Sequence, residues 1–212
     1  GDVIRTFVPK GKSKKNAHAA EKDDVLPNDV GFNRFTWNLR AIGAESFPDM
    51  ILWSGGMGGP KVPPGVYRIE LTVDGETVTV PLVLTADPRS SSTTMDLVSQ
   101  YQFVLETGEW LTRAHQGVRR IRSVSKDLEA LKKRLPQAEE GAEKDAAVTS
   151  LEAEISEALA AMKAVEEALY QTKNQSGQDP LNFPIQLTDK LAGVRSGAMQ
   201  GEFAPTAQMW VV

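Results

Sequence analysis

The chain has 212 residues, no cysteine and a formal net charge of −4, and 41% of its residues are hydrophobic. This length and composition are typical of a globular protein with one domain or two small ones. The acidic balance argues against nucleic-acid binding, which needs a basic face. The missing cysteines exclude disulfides, thiolate metal sites and cysteine nucleophiles. No apolar run reaches the roughly 20 residues of a membrane-spanning helix, so no membrane span is expected.

The first residues predict a strand at the edge of a sheet. Val3–Val8 has the sequence VIRTFV, which is typical of a strand. Gly1-Asp2 resembles the end of a turn whose first strand lies upstream. The chain starts at Gly1 without a methionine and carries no signal peptide, so we expect it to be a processed or excised piece of a longer protein. An open sheet edge tends to recruit another strand. A second copy of the chain could supply it, which would give a homodimer. Alternatively, Lys10–Lys22 or the C-terminal Met209–Val212 could fold over the edge and cover it.

A lysine-rich segment follows between Pro9 and Pro27. Its basic residues are Lys10, Lys12, Lys14, Lys15, His18 and Lys22. They could bind an anion, but no aromatic residue is interleaved with them, and Glu21, Asp23 and Asp24 offset the charge. The pattern therefore favours a solvated loop over a binding patch.

Gly31–Arg40 (GFNRFTWNLR) predicts the next strand, because its side chains alternate between two faces. Phe35, Trp37 and Leu39 share one of these faces, which is typical of the inner face of a β-sandwich. We therefore expect Trp37 to be a core residue of a β domain.

A long connection, residues 41–59, ends in the glycine cluster Gly55–Gly59. Glycines of this kind can hold a phosphate, but a P-loop needs a Lys-Ser/Thr pair and a helix after them. Pro60 and a strand follow instead. A flexible or tightly turned loop is the better interpretation.

The most regular β pattern lies between Pro60 and Arg89. Polar and apolar residues alternate from Val66 to Val73, as in a strand with one buried face. Asp74-Gly75 then predicts a two-residue type I′ turn, in which glycine accepts a positive φ. Thr77–Leu84, rich in β-branched residues, is the expected partner strand.

After Pro88 the pattern becomes helical. Ser90 to Thr94 offer N-caps, and Asp96 would lie in the first turn of a helix that continues to Pro136. A second helix is predicted from about Glu143 to Lys173. Its apolar seam contains Val148, Leu151, Ile155, Ala158, Met162, Val165, Leu169 and Thr172. Narrow stripes on two long helices are what antiparallel partners bury against each other.

Two further elements complete the helical half. A shorter third helix is predicted from Ile185 to about Ala198. The terminal Met209–Val212 is too apolar to remain in water, so we expect it to dock on the body of the protein.

A search for catalytic chemistry finds no site. His18 and His115 lie far apart in the sequence, and His115 is expected on the surface of a helix. The pairs Glu139-Glu140, Glu152/Glu154 and Glu166-Glu167 fall beside lysines on helix faces, where carboxylates are usually solvated. No metalloprotease, redox, nucleophile-elbow or dinucleotide motif occurs. We therefore expect no enzyme activity, no catalytic or metal-binding residue and no cofactor.

Four segments together carry a resemblance to a known group. They are GFNRFTWNLR, MILWSGGMGGP, PPGVYRIELTVDGETVTVPLVLTADPR and SGQDPLNFPIQLTDKLAGV. The chain resembles, from Val3 to about Trp210, the C-terminal region of large secreted bacterial β-propeller proteins, often labelled sortilin-like or BNR-repeat glycosyl hydrolases. The resemblance implies an Ig-like or fibronectin-like β domain and a helical segment after a propeller. The hydrolase label belongs to the propeller, and none of the matched motifs is catalytic.

These features predict an α+β protein of two domains. Residues 1–88 would form a partial Ig-like β-sandwich that lacks its first strands. Residues 89–212 would form a long antiparallel helical hairpin with a third, shorter helix and a docking tail.

The expected function is a non-catalytic structural or protein-interaction module, accessory to an upstream β-propeller in a secreted or periplasmic bacterial protein. The alternative is a carbohydrate-binding or accessory part of a glycoside hydrolase. A glycan platform needs solvent-facing rings, and Trp53, Trp110 and Trp210 are its candidates. Burial of all three would remove the support for this alternative.

Overall fold

The computed structural model describes residues 2–9, 25–136 and 145–211. Within them the fold is α+β, as predicted, with three α-helices and two small sheets. The elements are β1 (Val8–Pro9), β2 (Val25–Leu26), β3 (Gly65–Val73), β4 (Glu76–Leu84), α1 (Thr94–Arg134), α2 (Ala146–Leu169) and α3 (Leu187–Ala198), with 3₁₀ turns at Asp179–Leu181 and Met209–Val211. Most of the lysine-rich segment, with His18, lies outside the described residues, as does Glu139-Glu140.

The strands β3 and β4 form a single antiparallel hairpin, which we call the β-ribbon. Its register pairs Gly65 with Leu84 and Val73 with Glu76, so the loop is Asp74-Gly75. Both loop residues have positive φ, 50° and 88°, which confirms the predicted type I′ turn.

The strand predicted for residues 31–40 is wrong. The backbone there is irregular, and Arg40 forms an isolated bridge with Lys61. Leu39 has a φ of 58°, a left-handed conformation that interrupts a strand, and its side chain is exposed. Phe35 and Trp37 are partly buried against Phe7, with ring centroids 4.7 and 6.5 Å away.

The first strand is much shorter than predicted. Residues 3–7 are irregular, and β1 begins at Val8, where it pairs in parallel with β2. Two sheets packed face to face, as in a β-sandwich, are not seen in the described residues.

The long helix α1 organises the helical part. Thr93 and Asp96 form a capping box at its start, as the N-cap pattern predicts, and the helix ends just before Pro136. The first half of α1 packs on α3, and the contacts that follow one another along α1 run in the opposite direction along α3. Phe103 and Val104 meet Ala198, while Leu111 meets Leu191.

The second half of α1 packs on α2. Gly117 lies against Leu169, Arg122 Nε donates to Glu166 Oε1 at 2.7 Å, and Lys132 Nζ donates to Ser156 Oγ at 2.7 Å. These contacts also run in opposite order along the two helices.

The seam of α2 is rotated from the predicted one. Ile155 is buried as expected, but Leu151, Ala158 and Val165 are exposed. The residue after each of them, Glu152, Leu159 and Glu166 respectively, is partly buried instead. Glu166 belongs to the seam because it binds Arg122 of α1, and an ion pair is invisible to a search for apolar residues.

The segment 41–59 packs into the helices although it precedes the β-ribbon in the sequence. Ala44 contacts the Leu111–Leu191 cluster, and Phe47 packs with Val118 and Tyr170. The tail also contacts this body, since Met209 packs beside Phe103 and the Trp210 ring meets Phe103 edge-on at 4.8 Å. The hydrophobic core is therefore built by the helices and an irregular segment together.

Candidate interaction surfaces

The glycine cluster lies at the margin of the protein core, with Gly55 and Gly56 exposed and Gly59 buried, and it offers carbonyl oxygens. Arg195, 1% exposed, donates to Gly56 O at 2.8 Å, Gly58 O at 2.5 Å and Val104 O at 3.3 Å. Arg40 Nη1 donates to Gly59 O at 2.8 Å. A phosphate site needs N–H groups aimed at the ligand, whereas this loop directs its carbonyls at two guanidinium groups. The structure therefore supports the tightly turned loop.

Burial lowers the pKa of Arg195 to about 10, and the charge of Arg40 acts in the same direction. The guanidinium still carries its proton at neutral pH. Its three backbone acceptors hold the loop against α1 and α3, so Arg195 has a structural role.

His115 is completely buried, so its predicted place on the surface is wrong. Its Nδ1 lies 2.6 Å from Glu45 O. A carbonyl only accepts, so Nδ1 carries the proton in the neutral ring. The Phe47 ring packs edge-on against the imidazole at 5.2 Å. Burial lowers the pKa of His115, which favours this neutral form.

Asp189 lies near His115 and is also buried. One of its oxygens accepts from Trp53 N at 2.8 Å. Burial raises the pKa of Asp189, while hydrogen bonds from Trp53 N and Gln186 N oppose the shift. His115 Nε2 and Asp189 Oδ2 make no hydrogen bond to the described residues. The two groups are sealed from solvent, so a substrate cannot reach them in this conformation.

Metal-binding clusters of histidine and acidic residues are absent from residues 2–9, 25–136 and 145–211. Two carboxylates on α2 form ion pairs: Glu166 binds Arg122 of α1, and Glu167 lies 3.8 Å from Lys163 on the same helix. In the same ranges, no helix is both long and apolar enough to cross a membrane.

The β-ribbon has one apolar face that the described residues leave open. Directly opposed residues of an antiparallel pair share a face, so the register places Tyr67, Ile69, Leu71, Val73, Val78, Val80 and Leu82 together. The five residues from Ile69 to Val80 in this set are 49–62% exposed. The opposite face carries the Arg68–Glu70 ion pair and the Thr72–Thr77 hydrogen bond. Val66 and Val83 are also exposed on this second face, at the base of the ribbon. Beyond its base the ribbon is therefore amphipathic, with its apolar side in water.

The two edges of the β-ribbon differ. In a hairpin with a two-residue loop, the two residues that flank the loop are hydrogen-bonded to each other. The next pair directs its backbone N–H and C=O groups away from the partner strand, and the two kinds of pair then alternate along the ribbon. On β3 the outward groups belong to Val66, Arg68, Glu70 and Thr72. On β4 the outward positions include Pro81, which has no N–H to donate. The outer edge of β3 is thus complete, whereas that of β4 is interrupted.

A cavity of about 710 Å³ separates the base of the β-ribbon from the adjacent ends of α1 and α3. Its lining includes Arg40, Lys61, Asp87, Arg89 and Glu202. Arg89 binds Asp87 through two hydrogen bonds of 3.0 and 2.7 Å, so part of this charge is already paired. The mixed charge selects no single class of ligand.

Trp53, Trp110 and Trp210 are each about half exposed, at 47–53%. The rings of Trp110 and Trp210 each contact another side chain of the protein. Arg113 stacks on Trp110 at 4.9 Å, Trp210 meets Phe103, and the backbone of Trp53 is bound by Asp189. The three rings are therefore not all buried, and the carbohydrate alternative keeps its candidates.

Comparisons with protein-family models, with curated proteins and with solved structures found no match to this chain.

Proposed function

We propose that this chain is a non-catalytic interaction module that uses its β-ribbon to dock on a β-propeller preceding it in a secreted or periplasmic bacterial protein. The observation that carries the proposal is the apolar face of the β-ribbon, with five aliphatic side chains about half exposed. The sequence resemblance is the basis for naming a β-propeller as the partner and for the secreted or periplasmic location.

The energetics favour a covered ribbon. An isolated two-stranded hairpin is marginally stable in water, and a third strand or another packed element is needed for independent stability. Burying the exposed remainder of each aliphatic side chain is worth on the order of 1 kcal/mol. Five such residues on one face would supply enough free energy for docking, particularly to a partner held close by the same chain.

The form of the edges suggests how a partner would bind. A strand added beside β3 would find outward N–H and C=O groups at Glu70 and its alternating neighbours, while Pro81 would hinder the same addition beside β4. We propose that a sheet edge of the partner pairs with β3 and that the apolar face is covered at the same time. We also propose that the docked β-ribbon forms part of an Ig-like β domain and that this domain lies next to an antiparallel helical hairpin.

The experiment uses the natural polypeptide extended upstream of Gly1, with a protease site inserted there. After cleavage, association of the two parts is measured by light scattering. Val80→Lys, on the apolar face, should weaken association at least tenfold, whereas Thr79→Lys, one residue away on the polar face, should not. Parts that separate freely, or equal effects of the two variants, would overturn the proposal.

Carbohydrate binding is the second candidate function, favoured by the half-exposed rings of Trp53, Trp110 and Trp210. Sugars stack on such rings, so calorimetric titration with cello-, chito- and xylo-oligosaccharides tests it directly. Binding that is lost in Trp53→Ala or Trp110→Ala would support a glycan site. Lack of heat with every oligosaccharide would count against carbohydrate binding.

A further inference from the structure

We propose that the outer half of the α1–α2 pair binds a second copy of this chain. The contact surface is an apolar strip, which we define as Val124 and Leu131 of α1 with Leu151, Ala158 and Val165 of α2. All five are exposed, and the four larger side chains are 39–53% accessible. This surface is separate from the β-ribbon.

The five residues lie on one face because each has the same position relative to the seam. The contacts Arg122–Glu166 and Lys132–Ser156 run in opposite order along the helices. Two such helices are related by an approximate twofold axis normal to the plane that contains them. Residues with the same offset on both helices therefore lie on the same side of this plane. Every strip residue precedes a partly buried seam residue by one: Ser125, Lys132, Glu152, Leu159 and Glu166.

The pair buries its apolar seam only in part in this region, since Leu128, Leu159 and Met162 all keep some exposure. Its seam includes the polar residues Ser125, Lys132 and Glu152, and Ile155 is the buried residue of α2. Helices in water are held mainly by packing of an apolar face. The strip therefore offers the additional apolar surface with which two such pairs would form a four-helix bundle.

Charge identifies a second copy as the occupant. The outer half of α1 is strongly basic, with Arg119, Arg120, Arg122, Lys126, Lys132, Lys133 and Arg134 against Asp127 and Glu129. The helix α2 is strongly acidic, with Glu152, Glu154, Glu157, Glu166 and Glu167 against Lys163. A twofold axis parallel to the helices places α1 of each copy beside α2 of the other, so opposite charges face each other across the interface. The chain is thus complementary to itself.

The available area is sufficient for a specific dimer. The contacts Gly117–Leu169 and Lys132–Ser156 show that α1 and α2 overlap from about Gly117 to Arg134, so the shared face is about 27 Å long. Two helices 8–10 Å apart then present a face on the order of 500 Å². Two copies would bury about 1,000 Å² in total, the lower limit for a specific interface.

The test is light scattering of the full chain across a dilution series from about 100 µM. The wild-type chain should be a dimer whose dissociation constant rises with salt, because ionic strength screens the paired charges. Leu131→Glu places an acid opposite the acidic α2 of the other copy and should raise the dissociation constant at least tenfold. Ala130→Glu, adjacent but facing away from α2, should leave it unchanged. Circular dichroism on both variants checks that the helices remain folded.

Three results would overturn the proposal. A wild-type mass of one chain at every concentration excludes the dimer. Equal weakening by Leu131→Glu and Ala130→Glu excludes the strip. A dimer that is abolished by Glu70→Pro, at the outer edge of β3, but survives Leu131→Glu would use the edge of the β-ribbon instead of the strip.

Discussion

The segment 41–59 and the β-ribbon are neighbours in the sequence and differ in what holds them. The irregular segment has few backbone partners of its own, yet Phe47 and Ala44 lie in the core, and Arg195 fixes its glycine carbonyls. The β-ribbon has a complete hydrogen-bond ladder, yet its apolar face is open. In this molecule the regular element is exposed and the irregular segment contributes side chains to the core. The β-ribbon, which is regular and exposed, is therefore the better candidate for binding a partner.

The largest expected effect is the loss of the buried cation that fixes the irregular segment. Arg195→Met removes the donors to Gly56 O, Gly58 O and Val104 O, so each of these carbonyls loses a charged hydrogen-bond partner at a buried or partly buried contact. This should lower the free energy of unfolding by about 3–5 kcal/mol. Arg120→Met, at an exposed position of α1, should change it by less than about 0.5 kcal/mol. Urea titration measures both, and a loss under 1 kcal/mol in Arg195→Met would show that the loop is held in another way.

A leucine pair compares the two regions directly. Leu111 is fully buried between segment 41–59 and α3, whereas Leu71 on the β-ribbon is 53% exposed. Leu111→Ala should cost about 2–5 kcal/mol and Leu71→Ala less than about 1 kcal/mol. The comparison would fail if thermal or urea unfolding gave similar losses for the two variants.

Two glycines with the same backbone conformation extend the comparison. Gly55 and Gly75 have φ of 87° and 88°. A Cβ on Gly55 would overlap Ala192 O of α3, while a Cβ on Gly75 would meet open space. Gly75→Ala should therefore cost only the strain of the left-handed conformation, about 1–2 kcal/mol. Gly55→Ala should cost at least about 1 kcal/mol more, because backbone must also move. Equal losses in urea unfolding would place the glycine loop away from α3.

The smallest effect is a pH dependence from the buried histidine. The unfolded chain takes up a proton on His115 as the pH falls through its ordinary pKa of 6.5, whereas burial lowers the pKa in the folded chain. Stability should thus be constant above pH 6.5 and decline below it, until the folded histidine also titrates. Asp189, with its raised pKa, acts in the opposite direction at lower pH. Urea unfolding from pH 8 to 5 should show a smaller decline in His115→Gln, and identical curves would contradict the assignment.

The sequence predicts those elements whose signals are local. The alternation around Asp74-Gly75 defines the β-ribbon, and the capping box at Thr93 and Asp96 defines the start of α1. Residues 31–40 have the same alternation, but among the described residues they pair with a neighbour only at the Arg40–Lys61 bridge. Leu39 also departs from the extended conformation. A strand depends on its partner, which a short pattern does not contain.

The buried polar residues were missed for a related reason. His115 lies four residues after Leu111 and three before Val118, on the buried stripe of α1. Arg195 lies four after Leu191 and three before Ala198 on α3. The spacing marks both positions as internal, so the signal was available. Most of their partners are backbone carbonyls from segment 41–59, and no sequence pattern shows which carbonyls a loop will present.

Amide hydrogen exchange along β3 tests the central claim most directly. In the isolated chain, the outward amides of Arg68, Glu70 and Thr72 should exchange rapidly, since the described residues give them no acceptor. In the chain extended upstream of Gly1, the same amides should become protected at least tenfold, while those of α1 around Leu111 stay unchanged. Equal exchange of the β3 amides in the two chains would contradict docking through the β-ribbon.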